Sequence, residues 1–249
     1  MIRKMRRAWQ RKAAAMAMAA ATLAYAGNVY ALPQGGEVKA GDASITNSGS
    51  TMDVNQSSQK VAIDWTAFGI NKGETVNFNQ PNAAAIALNR VIGNSASEIY
   101  GHLNANGQVF LINPNGVLFG QGAEVNVGGL VATTHDITNE NFMSGKYTFA
   151  GSSAAAVKNA GSIKAEGGLV ALLAKDVENT GVIETKGGTT ALAAGSGMTI
   201  DYEGDGKINL SVDKSIADAK TLNAGTIKAD GGYVVMTARD ASSVVNTVV

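Results

Sequence analysis

Apolar residues along this chain come in short runs, separated by polar or glycine-rich turns. In GQVFLINPNGVLFGQGAEVNVGGLVATT (residues 107–134), the run VFLI enters a turn of Asn113, Pro114, Asn115 and Gly116, and the run VLF leaves it. Proline presets φ at the second turn position, and Asn and Gly tolerate the conformations that follow. The pattern predicts two strands joined by a tight turn. Upstream, Val61, Ile63 and Trp65 alternate, as do Val76 and Phe78, which predicts further strands. The stretch AAAIALNRV (residues 83–91) lacks clean alternation and reads as a short helix or as a strand with an irregular edge.

Three segments of the C-terminal half align: NAGSIKAEGGLVALLAKD from Asn159, NTGVIETKGGTTALAAGS from Asn179 and NAGTIKADGGYVVMTARD from Asn223. They share the frame N-x-G-x-I-x-x-x-G-G followed by six mostly apolar or small residues. The first two frames start 20 residues apart and the next two 44 apart, which fits two turns plus a short insertion. A period near 20 built on strand and turn is the mark of a solenoid. A β-sandwich would supply strands but not three aligned frames.

As coils of a parallel β-helix the columns make physical sense. Ile163, Ile183 and Ile227 stack in one inward column. Val170, Leu172 and Ala174 share parity with Thr190, Leu192, Ala194 and with Val234, Met236, Ala238, which puts that set on one face. The Gly-Gly pairs mark corners where φ > 0 is needed. Asn159, Asn179 and Asn223 are expected to hydrogen-bond to one another along the axis at another corner. The helix is expected from about residue 41 to the C-terminus, with residues 32–40 folded over the first coil as a cap. Residues 136–153 are polar and off-frame. They read as an excursion with its own small strands near residues 147–149.

The N-terminus changes the picture. Arg3, Lys4, Arg6, Arg7, Arg11 and Lys12 precede an uncharged Ala- and Met-rich stretch (residues 13–26), and Val29-Tyr30-Ala31 fits the small-x-small cleavage pattern. This is the layout of a secretory signal peptide, residues 1–31, cleaved between Ala31 and Leu32. The apolar stretch is shorter than the roughly 20 residues a membrane span needs. Six of the 20 Lys and Arg lie in the signal and all 20 Asp and Glu follow it, so residues 32–249 carry a net charge of −6. A mildly acidic surface argues against a nucleic-acid partner. The chain has no cysteine, so an exported domain must be stable through its core alone or remain unfolded until late.

With these residues in view, the chain resembles the N-terminal secretion domain of two-partner-secretion exoproteins, the group of filamentous haemagglutinin, large adhesins, haemolysins and contact-dependent inhibition toxins. The matching strings are VNQSSQKVAIDWT (54–66), GETVNFNQPNA (73–83), ALNRVIGN (87–94) and NGQVFLINPNGVLFGQ (106–121), which with the repeats cover nearly all of residues 32–249. The family has two Asn-Pro-Asn signatures. The second stands intact at Asn113, Pro114, Asn115 and Gly116; the first appears in degraded form as Gln80, Pro81 and Asn82.

The resemblance implies an all-β fold: a right-handed parallel β-helix with an N-terminal cap and a small extra-helical β excursion. It implies a signal peptide read by the Sec machinery, and then recognition by the periplasmic domains of a dedicated outer-membrane β-barrel transporter. The chain passes that barrel and folds outside, on the surface of a Gram-negative bacterium or in the medium. Absence of cysteine suits passage through a narrow pore, and short strands can add to a partner's sheet edge. The parent protein is implied to be an adhesin- or haemagglutinin-type molecule that meets host or neighbouring cells.

A polysaccharide-active enzyme is the rival reading, because such enzymes share the β-helix. The two histidines, His102 and His135, have no metal-type spacing, and no thiol nucleophile exists. Asp201-x-Glu203-x-Asp205-Gly206 resembles a calcium loop, but its twelfth position is Val212, where a bidentate Glu is required. A solvated loop is the reading, and no catalytic residue, metal site or cofactor is expected. A free-standing receptor-binding adhesin is a third reading, with no ligand identified. The C-terminal residues ASSVVNTVV bring no polar cap to the last coil. A solenoid end normally has one, so the chain is expected to be a fragment of a longer exoprotein or a truncated gene product.

Overall fold

The computed structural model of the chain describes residues 32–165, 167–201, 209–240 and 244–248. The predicted signal peptide, including Ala31, and Glu203, Asp205 and Gly206 of the calcium-loop candidate lie outside the described residues. In chain order, β1 (Glu37–Ala40) and β2 (Ala43–Ser48) come first, and β3 (Thr51–Gln56) and β4 (Lys60–Trp65) make the first coil. β5 (Thr75–Asn79) and β6 (Ile86–Val91) make the next. Later coils use three strands each: β7 (Ser97–Ile99), β8 (His102–Ala105) and β9 (Gln108–Ile112), then β10 (Val117–Phe119), β11 (Glu124–Val127) and β12 (Gly129–Thr133).

The chain leaves the coil through α1 (Asn139–Met143) and β13 (Tyr147–Ala150). It returns for β14 (Ala156–Asn159), β15 (Ser162–Ala165) and β16 (Leu169–Ala174), and for β17 (Asp176–Asn179), β18 (Val182–Glu184) and β19 (Thr189–Ala194). A hairpin of β20 (Gly197–Asp201) and β21 (Asn209–Lys214) interrupts again before β22 (Lys220–Asn223), β23 (Thr226–Lys228) and β24 (Tyr233–Arg239), and β25 (Val244–Val248) follows.

Strands of successive coils pair in parallel and build sheets of nine, eight and five strands, ordered β1-β4-β6-β9-β12-β16-β19-β24-β25, β2-β3-β5-β8-β11-β15-β18-β23 and β22-β17-β14-β10-β7. This is the expected β-helix. The N-terminal cap is present: β1 pairs antiparallel with β4, β2 pairs antiparallel with β3, and Leu32 joins the central core. At the other end β25 pairs antiparallel with β24. β25 is then itself the edge strand of the nine-stranded sheet, with no further strand on it among the described residues. The eight- and five-stranded sheets end on β23 and β22.

The repeat columns fall in register as expected. Ile163 pairs with Ile183 and Ile183 with Ile227, and the first two are fully buried. Ile227 is only partly buried, a correction whose cause is its place in the coil that no later coil covers among the described residues. Asn159 Nδ2 donates to Asn179 Oδ1 at 2.8 Å, and Asn179 Nδ2 to Asn223 Oδ1 at 2.7 Å. This is the expected asparagine ladder, which satisfies each amide with the next coil.

The two glycines of each Gly-Gly corner do different work. Gly167, Gly187 and Gly231 have φ of 70, 70 and 75°, the left-handed region that disfavours a side chain. At Gly168, Gly188 and Gly232 a Cβ would land on the carbonyl oxygen of Gly128, Gly168 and Gly188 in the preceding coil. There the residue is fixed by close stacking.

Of the two readings of residues 83–91 the strand is the one found, with Ile86–Val91 as β6 in parallel register with β4, and one spacing is corrected. Ala85, Ile86, Ala87 and Leu88 are all buried, so both faces are covered and the alternation that marks a half-buried strand is lost. The 44-residue spacing contains one turn, since β17, β18 and β19 pair directly with β22, β23 and β24. The extra length is the β20–β21 hairpin, which leaves the coil altogether.

The two departures from the coil meet. β13, β20 and β21 form one antiparallel three-stranded sheet. With α1 it covers the outer face of the nine-stranded sheet, so a second core forms there. Phe142, Tyr147, Phe149, Met198 and Ile200 pack on the outward-pointing set that includes Phe110, Leu169, Ala171 and Leu173. Val212 also packs against this core, which gives the twelfth position of the calcium-loop candidate an apolar role. The inward set, Val170, Leu172 and Ala174, belongs to the central core.

Candidate functional site

The turn at Asn113, Pro114, Asn115 and Gly116 joins β9 to β10, at the corner between the nine- and five-stranded sheets. Gly116 N donates to Asn113 O at 3.0 Å and closes the turn. Asn115 N donates to Asn113 Oδ1 at 2.9 Å, the local side-chain bond that makes Asn a turn former. Gly116 has φ of 107° and faces the backbone of Ala156, so glycine is required there.

The turn is also a clip between layers. Asn113 Nδ2 donates to Ser95 O at 2.9 Å and to Ser97 Oγ at 3.0 Å in the preceding coil. Asn115 Nδ2 donates to Gly93 O at 2.9 Å. On the other side Ser153 Oγ, where the chain returns from its excursion, donates to Pro114 O at 2.6 Å. Asn113 and Gly116 are buried, whereas Pro114 and Asn115 are exposed. Two of the four residues thus hold the coil together, and two are presented outward on a fixed backbone. Ile92, 61% exposed, lies at the corresponding corner of the coil before.

The degraded signature repeats this division. Gln80 is buried, and Pro81 and Asn82 are exposed. Gln80 Nε2 donates to Gln56 Oε1 at 3.1 Å, Ala85 O at 3.1 Å and Gln108 O at 3.2 Å, and its Oε1 accepts from Gly107 N at 2.9 Å. Asn106 binds its backbone on both sides at 2.7 Å. Gln80 thus ties three successive coils together. Asn82 Oδ1 accepts from Ala84 N at 3.0 Å. This turn lies between β5 and β6, at the corner between the eight- and nine-stranded sheets. The two signatures therefore occupy different corners and do not form one patch.

Neither turn contains an ionisable group, so the chemistry on offer is neutral hydrogen bonding and shape. Among the described residues no group of three His, Cys, Asp or Glu is placed to hold a metal ion. His102 faces Glu124 at 3.4 Å on the surface, and His135 is buried.

Sequence reasoning missed the charged anchors beneath the excursion. Arg90, half-buried on β6, donates to Asp136 Oδ1 at 2.8 Å, Asp64 Oδ1 at 3.1 Å, Asn139 Oδ1 at 2.8 Å and the carbonyl of Ile137. Burial alone would lower its pKa, but bonding to and charge from Asp136, then Asp64, hold it above the ordinary value. Lys60 on β4 donates to the carbonyls of Phe142 and Met143 at 3.2 and 3.1 Å and lies over the Tyr147 ring at 5.3 Å. Burial holds its pKa below the usual value. The signal available was a lone charge, Arg90, in the otherwise uncharged run at residues 83–91.

A family profile described as "TPS secretion domain" matches residues 29–249. Two curated relatives from Haemophilus influenzae carry the name heme/hemopexin-binding protein. One is 37% identical over 218 residues, covering 82% of this chain and 24% of the relative. The other is 52% identical over 98 residues, covering 39% of this chain and 11% of the relative. The chain therefore spans about a quarter or less of the relatives it matches. Among solved structures, the HMW1 secretion domain from Haemophilus influenzae superposes with a TM-score of 0.75 at 37% identity, covering 82% of this chain and 55% of that one. The filamentous hemagglutinin secretion domain superposes with a TM-score of 0.54 at 18% identity, covering 82% and 75%, a likeness of fold. Coils, corner turns and matched residues together place the chain in the family of two-partner-secretion (TPS) secretion domains.

Proposed function

We propose that this domain is the export address of a longer exoprotein, and that Pro114 and Asn115 form part of the surface its outer-membrane transporter reads. The observation that carries the reading is the split within the turn: Asn113 and Gly116 are buried in the coil, while Pro114 and Asn115 face solvent on a backbone fixed from both sides. On this reading the Sec machinery takes the chain to the periplasm by the signal at residues 1–31, with cleavage between Ala31 and Leu32. The transporter then delivers it to the surface of a Gram-negative bacterium or to the medium. The matched family is one of secretion domains, and catalysis has no part in the reading.

The test separates recognition from folding. Pro114→Ala and Asn115→Ala leave the Asn113 bonds to Ser95 and Ser97 in place. Both variants are expected to melt close to the parent yet to appear outside cells several-fold less, with degradation in the periplasm. Asn115→Val, with a β-branched residue in the turn, is expected to abolish export. Unchanged export with the turn altered would reduce the motif to a structural element, and glycan cleavage by the purified domain would favour the enzyme reading instead.

For the rest of the exoprotein, the adhesin-type role follows from family resemblance. The relatives' name, heme/hemopexin-binding protein, supports a second reading in which the parent protein captures haem or its carrier. Binding of the full-length protein to immobilised hemin or hemopexin, set against binding to host cells, decides between them.

A further inference from the structure

Among the described residues the β13 strand has one strand partner, β20, which follows it by some 50 residues in the chain, with two whole coils in between. Thr148 pairs with Thr199 and Phe149 with Met198. The segment carrying β13 is meanwhile anchored in the opposite direction along the chain. Arg90 grips Asp136, Ile137 and Asn139 at the start of α1, and Lys60 grips the carbonyls of Phe142 and Met143 at its end.

These anchors belong to early coils. Lys60 pairs with Ile86 and Asp64 with Arg90 in adjacent strands. The two cations therefore stand at opposite ends of the β4–β6 pair, and α1 runs between them. The outer layer is thus fastened on one side to residues 60–90 and on the other to residues 197–214.

We propose that residues 134–155 form a strap that docks first on Arg90 and Lys60 and is locked only when the β20–β21 hairpin adds to β13. The layer then has two states, with the central core the same in both. Before locking, β13 lacks its ladder, and Phe149 lacks the cover of Met198 and Ile200. An unpaired strand and half-covered aromatic side chains make that state weakly held. After locking, Phe142, Phe149 and Met198 are fully buried. Local opening of the strap requires breaking the hairpin contacts, the Arg90 and Lys60 contacts, the Thr134 N–Leu173 O and Ser153 Oγ–Pro114 O bonds and the packing of Phe142 and Phe149 on Phe110, but no pairing between the coil strands themselves. The inference concerns folding alone and stands whether or not the transporter reads Pro114 and Asn115.

Hydrogen exchange on the 32–249 chain tests it. The reporting amides are Phe142, bonded to Thr138 O, and Ala150, bonded to Asp136 O; Leu111 and Leu172 report the coils. Met198→Asp, which unseats the hairpin, is expected to speed exchange at Phe142 and Ala150 at least a hundredfold and to leave Leu111 and Leu172 within about threefold. Equal acceleration of strap and coils would overturn the proposal, since the layer would then be part of one cooperative unit. A second variant leaves the core untouched. Thr148→Cys with Thr199→Cys places two thiols on the solvent side of paired strands in a chain without other cysteine. Once oxidised, it is expected to slow exchange at Phe142 and Ala150 at least tenfold, reversibly with reductant. No slowing in the oxidised protein would likewise overturn it.

Discussion

At the scale of single residues, buried amides decide what can be changed. Asn113 satisfies Ser95 O, Ser97 Oγ and its own turn at once. Removing it leaves the buried Ser97 hydroxyl without that partner, which costs about 1–3 kcal/mol when unsatisfied, and unties the turn. Asn113→Ala is therefore expected to lower the urea midpoint clearly, while Asn115→Ala, exposed and bonded once across the layer, changes stability by less than about 1 kcal/mol. Equal effects would mean that the burial difference has no energetic weight. A second residue-scale effect is pH. His135 is fully buried, and burial pushes its pKa below the usual 6.5 against the pull of the Gly195 and Leu173 carbonyls. A depressed histidine pKa means that the unfolded chain binds the extra proton first. Stability from this group is full above pH 6.5 and falls as pH drops from there toward the lower folded value. The loss of stability between pH 7.5 and 5.5 is expected to shrink in His135→Gln; an identical loss would assign the pH dependence to the carboxylates. Sequence gave no warning of this, because nothing in THD (residues 134–136) distinguishes a buried histidine from a surface one.

At the scale of elements, the repeat frame was legible because stacking makes each column a sequence pattern. The Ile column, the asparagine ladder and the Gly-Gly corners all follow from one rule, that identical positions touch in a parallel coil. What the frame could not reveal was why both glycines are needed. Gly187 supplies a positive φ with open space where a Cβ would go, whereas a Cβ on Gly188 would overlap the Gly168 carbonyl. Gly187→Ala is expected to cost about 1–3 kcal/mol of backbone strain. Gly188→Ala is expected to cost more, because two coils must move apart. Urea denaturation of the pair gives the order, and the reverse order would contradict the stacking argument. The two excursions were harder to read. The outward residues of β16 and β19 are as apolar as the inward ones, which reports a covered outer face. The cover itself comes from separate segments whose pairing, β13 with β20, has no local signature. That long-range contact also disguised the 44-residue spacing as an extra coil.

At the scale of the whole molecule, stability is expected to follow the axis. In a solenoid each coil is held by its own contacts and by the coils on either side. The middle coils are covered on both: every residue of β16 and β19 is buried. The coil of β22, β23 and β24 has a coil on one side only among the described residues. β22 and β23 alternate between exposed and half-buried, β24 is half-buried throughout after Tyr233, Leu222 is 38% exposed and Tyr233 64% exposed, and Met236 is only partly buried. Pairing by β25 covers the edge of β24 but leaves the apolar ends of the eight- and five-stranded sheets as they are. The amides of Ile227 and Met236 are therefore expected to exchange at least tenfold faster than those of Ile183 and Leu192, on which they stack. The N-terminal coil is expected to behave differently, since β1 and β2 close two sheets and Leu32 is buried in the core. Its amides at Val54 and Ile63 should match the middle coils. Uniform protection from Val54 to Met236 in a monomer would mean that cooperativity along the axis outweighs the burial gradient, and the coil-by-coil account of stability would have to be abandoned.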